Sequence, residues 1–354
     1  MSYEMGVSWI TKYGFFNFLI LYVRLSAQMG GIMKILMFGR GVISTQYGWA
    51  LEKAGHEVEF YVRPGRSAEY GPVVNLNILD GRRNSGGDEI VENWPVTMRE
   101  TIVKDHNYDL IIISVNHNQL MEVVKFVGPL AGKATVLIFN NIWEEPKTIE
   151  NFLPKGQMLW GFPGGGGGFY NLQTLKAGFV KTVFLEAEAT ASSIVRHQQV
   201  VQLFQGAGFS VAKLKNIRNW LWCHFIMNAA MAAEALKMGG HLKAFESSAS
   251  RREMVFLMRE MLPLLKAKGG KPDMLTNVLT RLPSSLSSIL LQKSAASGSL
   301  TGEIIRRMEG SGHTSTPEMN FNYLQDILND RKKTGISLPR LMALESYFPT
   351  VETK

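Results

Sequence analysis

Cysteine is almost absent from this sequence of 354 residues, in which Cys223 is the single example. One cysteine excludes a disulfide within the chain and any zinc site built from several thiolates. The seven histidines form no HxxxH or HExxH pair, so we expect no metal site. These absences are typical of a reducing compartment, and we expect a cytoplasmic protein.

Long apolar runs are absent as well. Residues 15–23 (FFNFLILYV) form a run much shorter than the ~20 residues that a membrane-spanning helix needs. Arg24 directly follows this run, which argues against a secretory signal. Because Met33 opens MKILMFG, a typical first strand, we expect residues 1–32 to be an N-terminal extension outside the core fold. We expect no membrane association.

Basic residues outnumber acidic ones by 38 to 30, which gives a net charge of +8. No long basic stripe interleaved with aromatic residues is present in the sequence, so we expect no nucleic-acid partner. A phosphorylated cofactor and an acidic small-molecule substrate account for the charge equally well. The 45% of hydrophobic residues suffices for a packed core, and the length suggests about two domains.

Apolar runs that alternate with helical stretches predict a parallel α/β sheet from Met33 onward. The expected strands are 34–38, 56–62, 109–115 and 134–139. Beyond about residue 190 helical patterns predominate, and the expected helices are 191–206, 216–238, 251–268 and 323–333. We therefore predict an α/β domain over residues 33–212 and an all-α domain over residues 213–354.

A glycine-containing turn follows the first predicted strand and opens a helix. In a Rossmann domain the first glycine of such a turn permits a tight bend, and the second lets the backbone approach a pyrophosphate. The helix N-terminus adds free N–H groups and a partial positive charge. The predicted dinucleotide-binding residues of this turn are Gly39, Gly41, Val42, Ile43 and Ser44. An unrelated strand-to-helix turn is the alternative.

The end of the second predicted strand determines which dinucleotide is expected. An NAD site needs a carboxylate there for the ribose 2′-hydroxyl, but Val62 and Arg63 occupy this point, and Glu59 lies mid-strand. Arg63, with Arg66 nearby, can hold a 2′-phosphate because a guanidinium matches phosphate geometry. We therefore predict NADP(H). Alternatively, Arg63 is a solvated charge at a strand end.

At these motifs the sequence resembles the ketopantoate reductase (2-dehydropantoate 2-reductase) family, from Met33 almost to the C-terminus. The resemblance rests on MKILMFGRGVIS, ALEKAGHEVEFYVR, VNHNQ, LIFNN, NIRNWLWCHFIMNAA and GISLP. It implies a Rossmann domain and an all-α C-terminal domain (6-phosphogluconate dehydrogenase C-terminal-like), with the active site between them. It also implies NADPH-dependent reduction of a 2-keto acid to a 2-hydroxy acid, first of all ketopantoate to pantoate in pantothenate biosynthesis.

The resemblance transfers some family residues and not others. The matching positions are Gly39, Gly41, Arg63 and Gln119 at the cofactor, Asn140 near the nicotinamide and substrate, and Asn228 at the substrate. The catalytic lysine of the family is replaced by His224. Asn116 stands where the family often has lysine, and Ala232 replaces a further asparagine.

The late polar residues of the family match less closely. Glu318 approximates the family's late substrate-binding acid, but its alignment needs a one-residue gap. The family's late serine corresponds to Ser287 or Ser288 only with an insertion.

Catalysis is assigned to His224, Asn140 and Asn228. His224 and Asn228 are four residues apart on a predicted helix and so share one face. Hydride addition to a keto carbon leaves a developing alkoxide, which must be stabilised and protonated. An imidazole with its ordinary pKa near ~6.5 can act as this acid near neutral pH. The alternative is a core histidine packed among aromatic residues.

Two other functions stay open beside the reductase. Opine-type dehydrogenases resemble this domain plan, use a histidine near this position, and join an amino acid to a keto acid. An NADP-binding protein without catalysis is the third hypothesis, which the missing lysine and Ala232 favour. A homodimer is compatible with each of these functions.

The run Gly164–Gly168 is unusual for a folded domain. We expect it to be a flexible surface loop. An anion-binding nest or a mobile flap over the cleft is the alternative.

Overall fold

The computed structural model describes residues 31–312 and 316–349. Nearly all of the expected extension, residues 1–30, therefore lies outside the described residues. Among the described residues, no helix has both the length and the apolar character needed to cross a membrane.

The strands belong to two sheets. They are β1 (Lys34–Phe38), β2 (Glu57–Tyr61), β3 (Val73–Gly81), β4 (Asp88–Pro95), β5 (Thr97–Arg99), β6 (Leu110–Ile113), β7 (Thr135–Phe139), β8 (Met158–Phe162), β9 (Gly165–Phe169), β10 (Thr174–Val180), β11 (Thr182–Glu186) and β12 (Ser210–Leu214). The larger sheet has the order β12-β11-β8-β7-β6-β1-β2-β5. Its neighbours are parallel except β8 and β11. Strands β6 and β7 are buried throughout, as continuous apolar runs predict.

Helices surround this sheet and make up the C-terminal region. They are α1 (Val42–Lys53), α2 (Arg66–Tyr70), α3 (Leu120–Val127), α4 (Pro146–Glu150), α5 (Ile194–Gly206), α6 (Ile217–Met238), α7 (His241–Glu246), α8 (Ser248–Ala267), α9 (Met274–Arg281), α10 (Ser284–Ser294), α11 (Leu300–Gly310), α12 (Pro317–Thr334) and α13 (Pro339–Met342). No strand occurs among the described residues after Leu214. The predicted fold, an α/β domain followed by a helical region, is confirmed.

Helix α6 connects the sheet with the helical region. The Asn216 side chain accepts a hydrogen bond from the backbone N–H of Asn219 and so caps the start of the helix. Ile217 and Leu221 in the first turns pack into the apolar cluster on one face of the large sheet. Later residues such as Phe225 and Ala229 belong to the core of the helical region. The middle of α6 therefore lies where the two regions meet.

The smaller sheet, with the order β4-β3-β10-β9, was not predicted from the sequence. Side chains of β3 and β10, among them Leu76 and Phe179, share an apolar core with Trp49 of α1. On the opposite face, Leu300 and Ile304 of α11 pack against Leu79. This sheet is therefore enclosed between α1 and a helix from the C-terminal part of the chain.

The glycine run forms strand β9, so the expectation of a flexible surface loop is wrong. Gly165 to Phe169 pair antiparallel with β10. A Cβ atom on Gly165 would lie 2.8 Å from the Gln46 side chain of α1, and one on Gly166 would lie 3.1 Å from Ile304. A side chain at Gly165 would collide with its neighbours, whereas one at Gly166 would require a small shift of Ile304.

Candidate active site

The predicted cofactor turn lies at the carboxyl end of β1. Gly39 has φ +87°, a conformation that glycine adopts without steric cost, and its N–H donates to Tyr61 O at 2.9 Å. Gly41 is the N-cap of α1, and no side chain caps the helix there. A Cβ atom on either glycine would meet nothing within 4 Å. The turn therefore leaves room above the first turn of the helix.

The residues that follow fit a bound phosphate. Val42 and Ile43 are partly buried, and Ser44 is fully buried. Within the described part of the chain, Ser44 Oγ and Thr45 Oγ1 are buried without hydrogen-bond partners. Unsatisfied buried hydroxyls cost free energy, and phosphate oxygens at a helix N-terminus accept hydrogen bonds. This turn therefore suits the pyrophosphate of a dinucleotide.

The end of β2 carries cations and lacks a carboxylate that is free for a ribose. Arg63 is exposed directly beyond the strand. Glu59, in the strand, is bound by Arg99 at 3.0 Å and by the Tyr108 hydroxyl. Because its carboxylate is engaged, Glu59 does not offer the acceptor that an NAD ribose needs.

Asn140 lies at the carboxyl end of β7, where both its amide nitrogen and its amide oxygen have a partner in the protein. Its Nδ2 donates to Val115 O at 2.7 Å, and its Oδ1 accepts from the Asn141 N–H at 2.8 Å. Its own N–H donates to Gly161 O at 3.2 Å. Asn140 thus joins the ends of β6, β7 and β8.

Asn141 was missed by the sequence reasoning. It is 4% exposed, and neither its Nδ2 nor its Oδ1 has a hydrogen-bond partner among the described residues. The one signal for it was the doubled asparagine of LIFNN, which does not show which amide is satisfied. Asn141 offers an unused buried amide at the end of the strand.

His224 lies on α6 beside the end of β8. Its ring stacks on Trp220 at 5.1 Å and 9°, and meets Phe162 edge-on at 4.5 Å. Burial lowers the pKa of His224 to about 4. The imidazole is therefore neutral at pH 7, whereas the sequence suggested titration near neutrality. Asn140 bonds to Gly161, which is next to Phe162. Asn140 and His224 therefore both lie at the end of β8.

Asn228 lies one turn beyond His224 and contacts α12. The Tyr323 hydroxyl makes a side-chain hydrogen bond with Asn228. The Tyr323 ring packs against His117 at 4.6 Å and Phe225 at 5.0 Å. Burial raises the pKa of Tyr323, so the phenol stays protonated, whereas the hydrogen bond with Asn228 acts in the opposite direction, as donation by the Asn228 amide would. No local pattern in the sequence indicates that α12 contacts Asn228 in this way.

The short turn His117–Gln119 contacts the same helix. His117 Nε2 lies 3.4 Å from Asp326 Oδ2, and the His117 side chain is 7% exposed. Burial lowers the pKa of His117 to about 4 and, with Glu144 nearby, raises that of Asp326 to about 6. Gln119 is exposed at the end of the turn. His117 Nε2 makes no hydrogen bond among the described residues, so the two side chains are neighbours where the loop after β6 meets the helical region.

The approximate counterparts of the family's late acid and late serine make contacts within the protein. Glu318 is exposed in the first turn of α12 and hydrogen-bonds to Thr316. Ser287 and Ser288 are buried, where Ser287 Oγ donates to Leu279 O and Ser288 accepts from an arginine. The substrate role of Glu318 stays a prediction, and its exposed side chain does not support it.

Residues 35–167 match the family described as ketopantoate reductase PanE/ApbA. The resemblance to the ketopantoate reductase family is confirmed over these residues. A curated 2-dehydropantoate 2-reductase of Lactococcus lactis subsp. lactis (strain IL1403) is 27% identical over 176 residues, which are 46% of this chain and 54% of the relative. The chain thus spans about half the length of the curated ketopantoate reductase that it matches.

Solved structures share the fold over most of the chain. D-Mandelate dehydrogenase with NADH and anilino(oxo)acetate has a TM-score of 0.66 at 16% identity, and 89% of this chain and 96% of that chain are covered. A PanE/ApbA family ketopantoate reductase from Ralstonia eutropha JMP134 has a TM-score of 0.63 at 19% identity, with 89% and 96% covered. At these identities the similarity establishes the architecture.

Proposed function

We propose that this protein is an NADP-dependent oxidoreductase that reduces a 2-keto acid to a 2-hydroxy acid, with ketopantoate as the leading substrate. One observation carries the proposal. His224 and Asn228 lie on α6 at the carboxyl edge of the sheet, the edge where the Gly39 turn fits a dinucleotide. The matched family model supports the same activity.

The residues of the turn would hold the cofactor, with the α1 N-terminus at the pyrophosphate and Arg63 at the 2′-phosphate. NADPH supplies the hydride when bound. Gln119, exposed after the β6 loop, is a further proposed cofactor contact. Asn140 would position the strand ends, since both its amide nitrogen and its amide oxygen already bond to the protein.

His224 is proposed to act as a neutral hydrogen-bond donor. Its N–H would face the carbonyl oxygen and stabilise the negative charge that develops there. The alkoxide would take its proton from water, which leaves hydroxide, and the imidazole would stay neutral throughout. Asn228 and Asn141 would orient the substrate through their amide groups. This division of roles does not require a cationic residue in place of the family lysine.

The surroundings of His224 favour an apolar substrate side chain. Phe162 and Trp220 flank the imidazole with aromatic faces. A branched or aromatic 2-keto acid would bury its side chain against these rings. This supports a second substrate class beside ketopantoate, namely aryl-substituted 2-keto acids.

A substrate panel tests the proposal. The purified protein is supplied with NADPH and with ketopantoate, benzoylformate or pyruvate, each with and without amino acids, and products are identified by mass spectrometry. We expect a 2-hydroxy acid without any need for an amine. A secondary amine formed only with an amino acid would indicate an opine-type dehydrogenase instead. A homodimer stays a prediction, which light scattering tests in the same preparation.

A further inference from the structure

Arg40 stands between the two glycines of the cofactor turn and is 7% exposed. Its Nη1 and Nη2 donate to Leu172 O at 2.8 and 2.9 Å. Its guanidinium lies 4.6 Å from the ring centre of Tyr70 and 5.0 Å from that of Phe169. The side chain therefore extends from the turn toward the helix after β2 and the β9–β10 hairpin.

This buried cation has no counter-ion in the described part of the chain. No ion pair within 4.0 Å involves Arg40 among the described residues, and its Nε is buried there without a hydrogen-bond partner. A carbonyl and two ring faces offset only part of the cost of burying a charge. Burial lowers the pKa of Arg40 to about 10, so the group stays charged at neutral pH. The Arg40 guanidinium is therefore a buried positive charge that a bound anion would neutralise.

Two more guanidinium groups lie near the same place. Arg66 approaches the Tyr70 ring at 4.8 Å and donates to its hydroxyl at 3.1 Å, so Tyr70 contacts both Arg40 and Arg66. The N–H of Arg66 donates to the carbonyl of Arg63 at 3.0 Å, which fixes Arg63 at the start of this segment. Arg66 pairs with Glu69. Arg40 and Arg63 lack such a partner among the described residues.

We propose that Arg40 binds the 2′-phosphate of NADP(H) together with Arg63 and thereby sets the preference for NADPH over NADH. The inference rests on the proposed dinucleotide site. The pyrophosphate is served by the α1 N-terminus, whereas the end of β2 meets the ribose. Arg40 reaches toward Tyr70, which follows β2, and so toward the ribose side of the turn. A guanidinium suits this ligand because it binds phosphate oxygens in pairs.

The competing explanation is structural. Arg40 could serve only to tie the glycine turn to the hairpin residue Leu172. Loss of the hydrogen bonds to Leu172 would distort the glycine turn and weaken the binding of every dinucleotide. Loss of a phosphate contact would weaken the binding of NADPH alone. The ratio of the two affinities separates these roles without any need for turnover.

The test is the titration of Arg40→Met with NADPH and NADH, followed by the change in nicotinamide fluorescence. Arg259→Met is the matched control, since Arg259 also donates to backbone carbonyls (Thr280 and Leu282) and lies against an aromatic ring. We expect NADPH to bind about tenfold or more weakly to Arg40→Met, as loss of a charge-assisted phosphate contact implies. NADH affinity should be unchanged, and the control should bind both like the wild type.

Equal weakening of both dinucleotides, or unchanged NADPH affinity, would overturn the inference. Arg40→Gln can still donate to Leu172 O without the charge, and it replaces Arg40→Met if that variant misfolds; the same ratio is expected. Wild-type protein that binds neither dinucleotide would overturn the proposed function and this inference together. Intact NADPH preference in Arg40→Gln would overturn the inference alone.

Discussion

Asn140 and Asn141 are adjacent buried amides with opposite hydrogen-bonding states. Asn140 bonds to Val115 and to the Asn141 backbone, whereas the Asn141 side chain has no partner among the described residues. A satisfied buried amide stabilises a fold, and an unsatisfied one is costly unless a ligand completes it. We therefore expect substitution of Asn140 to change stability and substitution of Asn141 to change activity.

Replacing each asparagine by alanine tests this division. Asn140→Ala should lower the free energy of unfolding by about 1–3 kcal/mol, because it leaves buried backbone groups unpaired. Asn141→Ala should leave stability almost unchanged and lower kcat/KM by about tenfold, the size of one lost substrate hydrogen bond. Denaturant titration and steady-state kinetics measure the two effects. The reverse pattern would contradict the assignment.

The depressed pKa of His224 predicts a dependence of stability on pH. The folded protein holds the imidazole neutral down to about pH 4, whereas the unfolded chain protonates near pH 6.5. Below the unfolded value the unfolded state binds more protons, so stability falls as pH decreases from about 6.5 to 4. His224→Gln should show a smaller loss across this interval than the wild type. His117 is present in both proteins, so the difference between the two curves isolates His224; parallel curves would contradict the shift.

Tyr323 is predicted to fix the orientation of Asn228. The Asn228 amide would donate to the Tyr323 hydroxyl oxygen, which accounts for the lowering effect of this bond on the pKa of Tyr323, and would leave the Asn228 carbonyl oxygen for the substrate. Tyr323→Phe should raise KM several-fold, by the value of about one hydrogen bond. Tyr347→Phe, on an exposed tyrosine, is the control. The effect of Tyr323→Phe should disappear in an Asn228→Ala background; additive effects would show that Tyr323 acts elsewhere.

Strand β9 should not tolerate side chains. In Gly165→Ala the new Cβ would lie 2.7 Å from the Gly178 carbonyl oxygen and 2.8 Å from Gln46. We expect a loss of about 1–3 kcal/mol of unfolding free energy, typical of overpacking. Gly206→Ala in α5 is the control, because its Cβ would meet nothing within 4 Å. Thermal unfolding measures both, and equal stability of the two variants would contradict the packing argument.

Local signals predicted the elements that carry the proposed cofactor site, and tertiary contacts determined the rest. Patterns among neighbouring residues suffice to predict the apolar strand before Gly39 and the helix that Asn216 caps. The smaller sheet depends on pairing between distant segments, such as Asn75 with Thr174. Its glycine strand also has no side-chain pattern to recognise.

The site shows the same division between local and distant information. The four-residue spacing placed His224 and Asn228 on one helix, as the structure confirms. Tyr323 reaches Asn228 only because α12 packs on α6, and the burial that lowers the pKa of His224 comes from strand β8 as well as from Trp220. Contacts of this kind depend on the packing of distant elements and cannot be read from local sequence.

NADPH oxidation with ketopantoate by the wild type and by His224→Ala tests most directly whether the protein reduces a 2-keto acid with the help of His224. We expect turnover by the wild type and a loss of about 10²-fold or more in kcat in the variant, the usual contribution of one hydrogen-bond donor to a developing oxyanion. NADPH affinity should be the same in both proteins, and His106→Ala should behave like the wild type. Equal turnover in His224→Ala, or tight NADPH binding with no reduction of any 2-keto acid, would contradict this expectation.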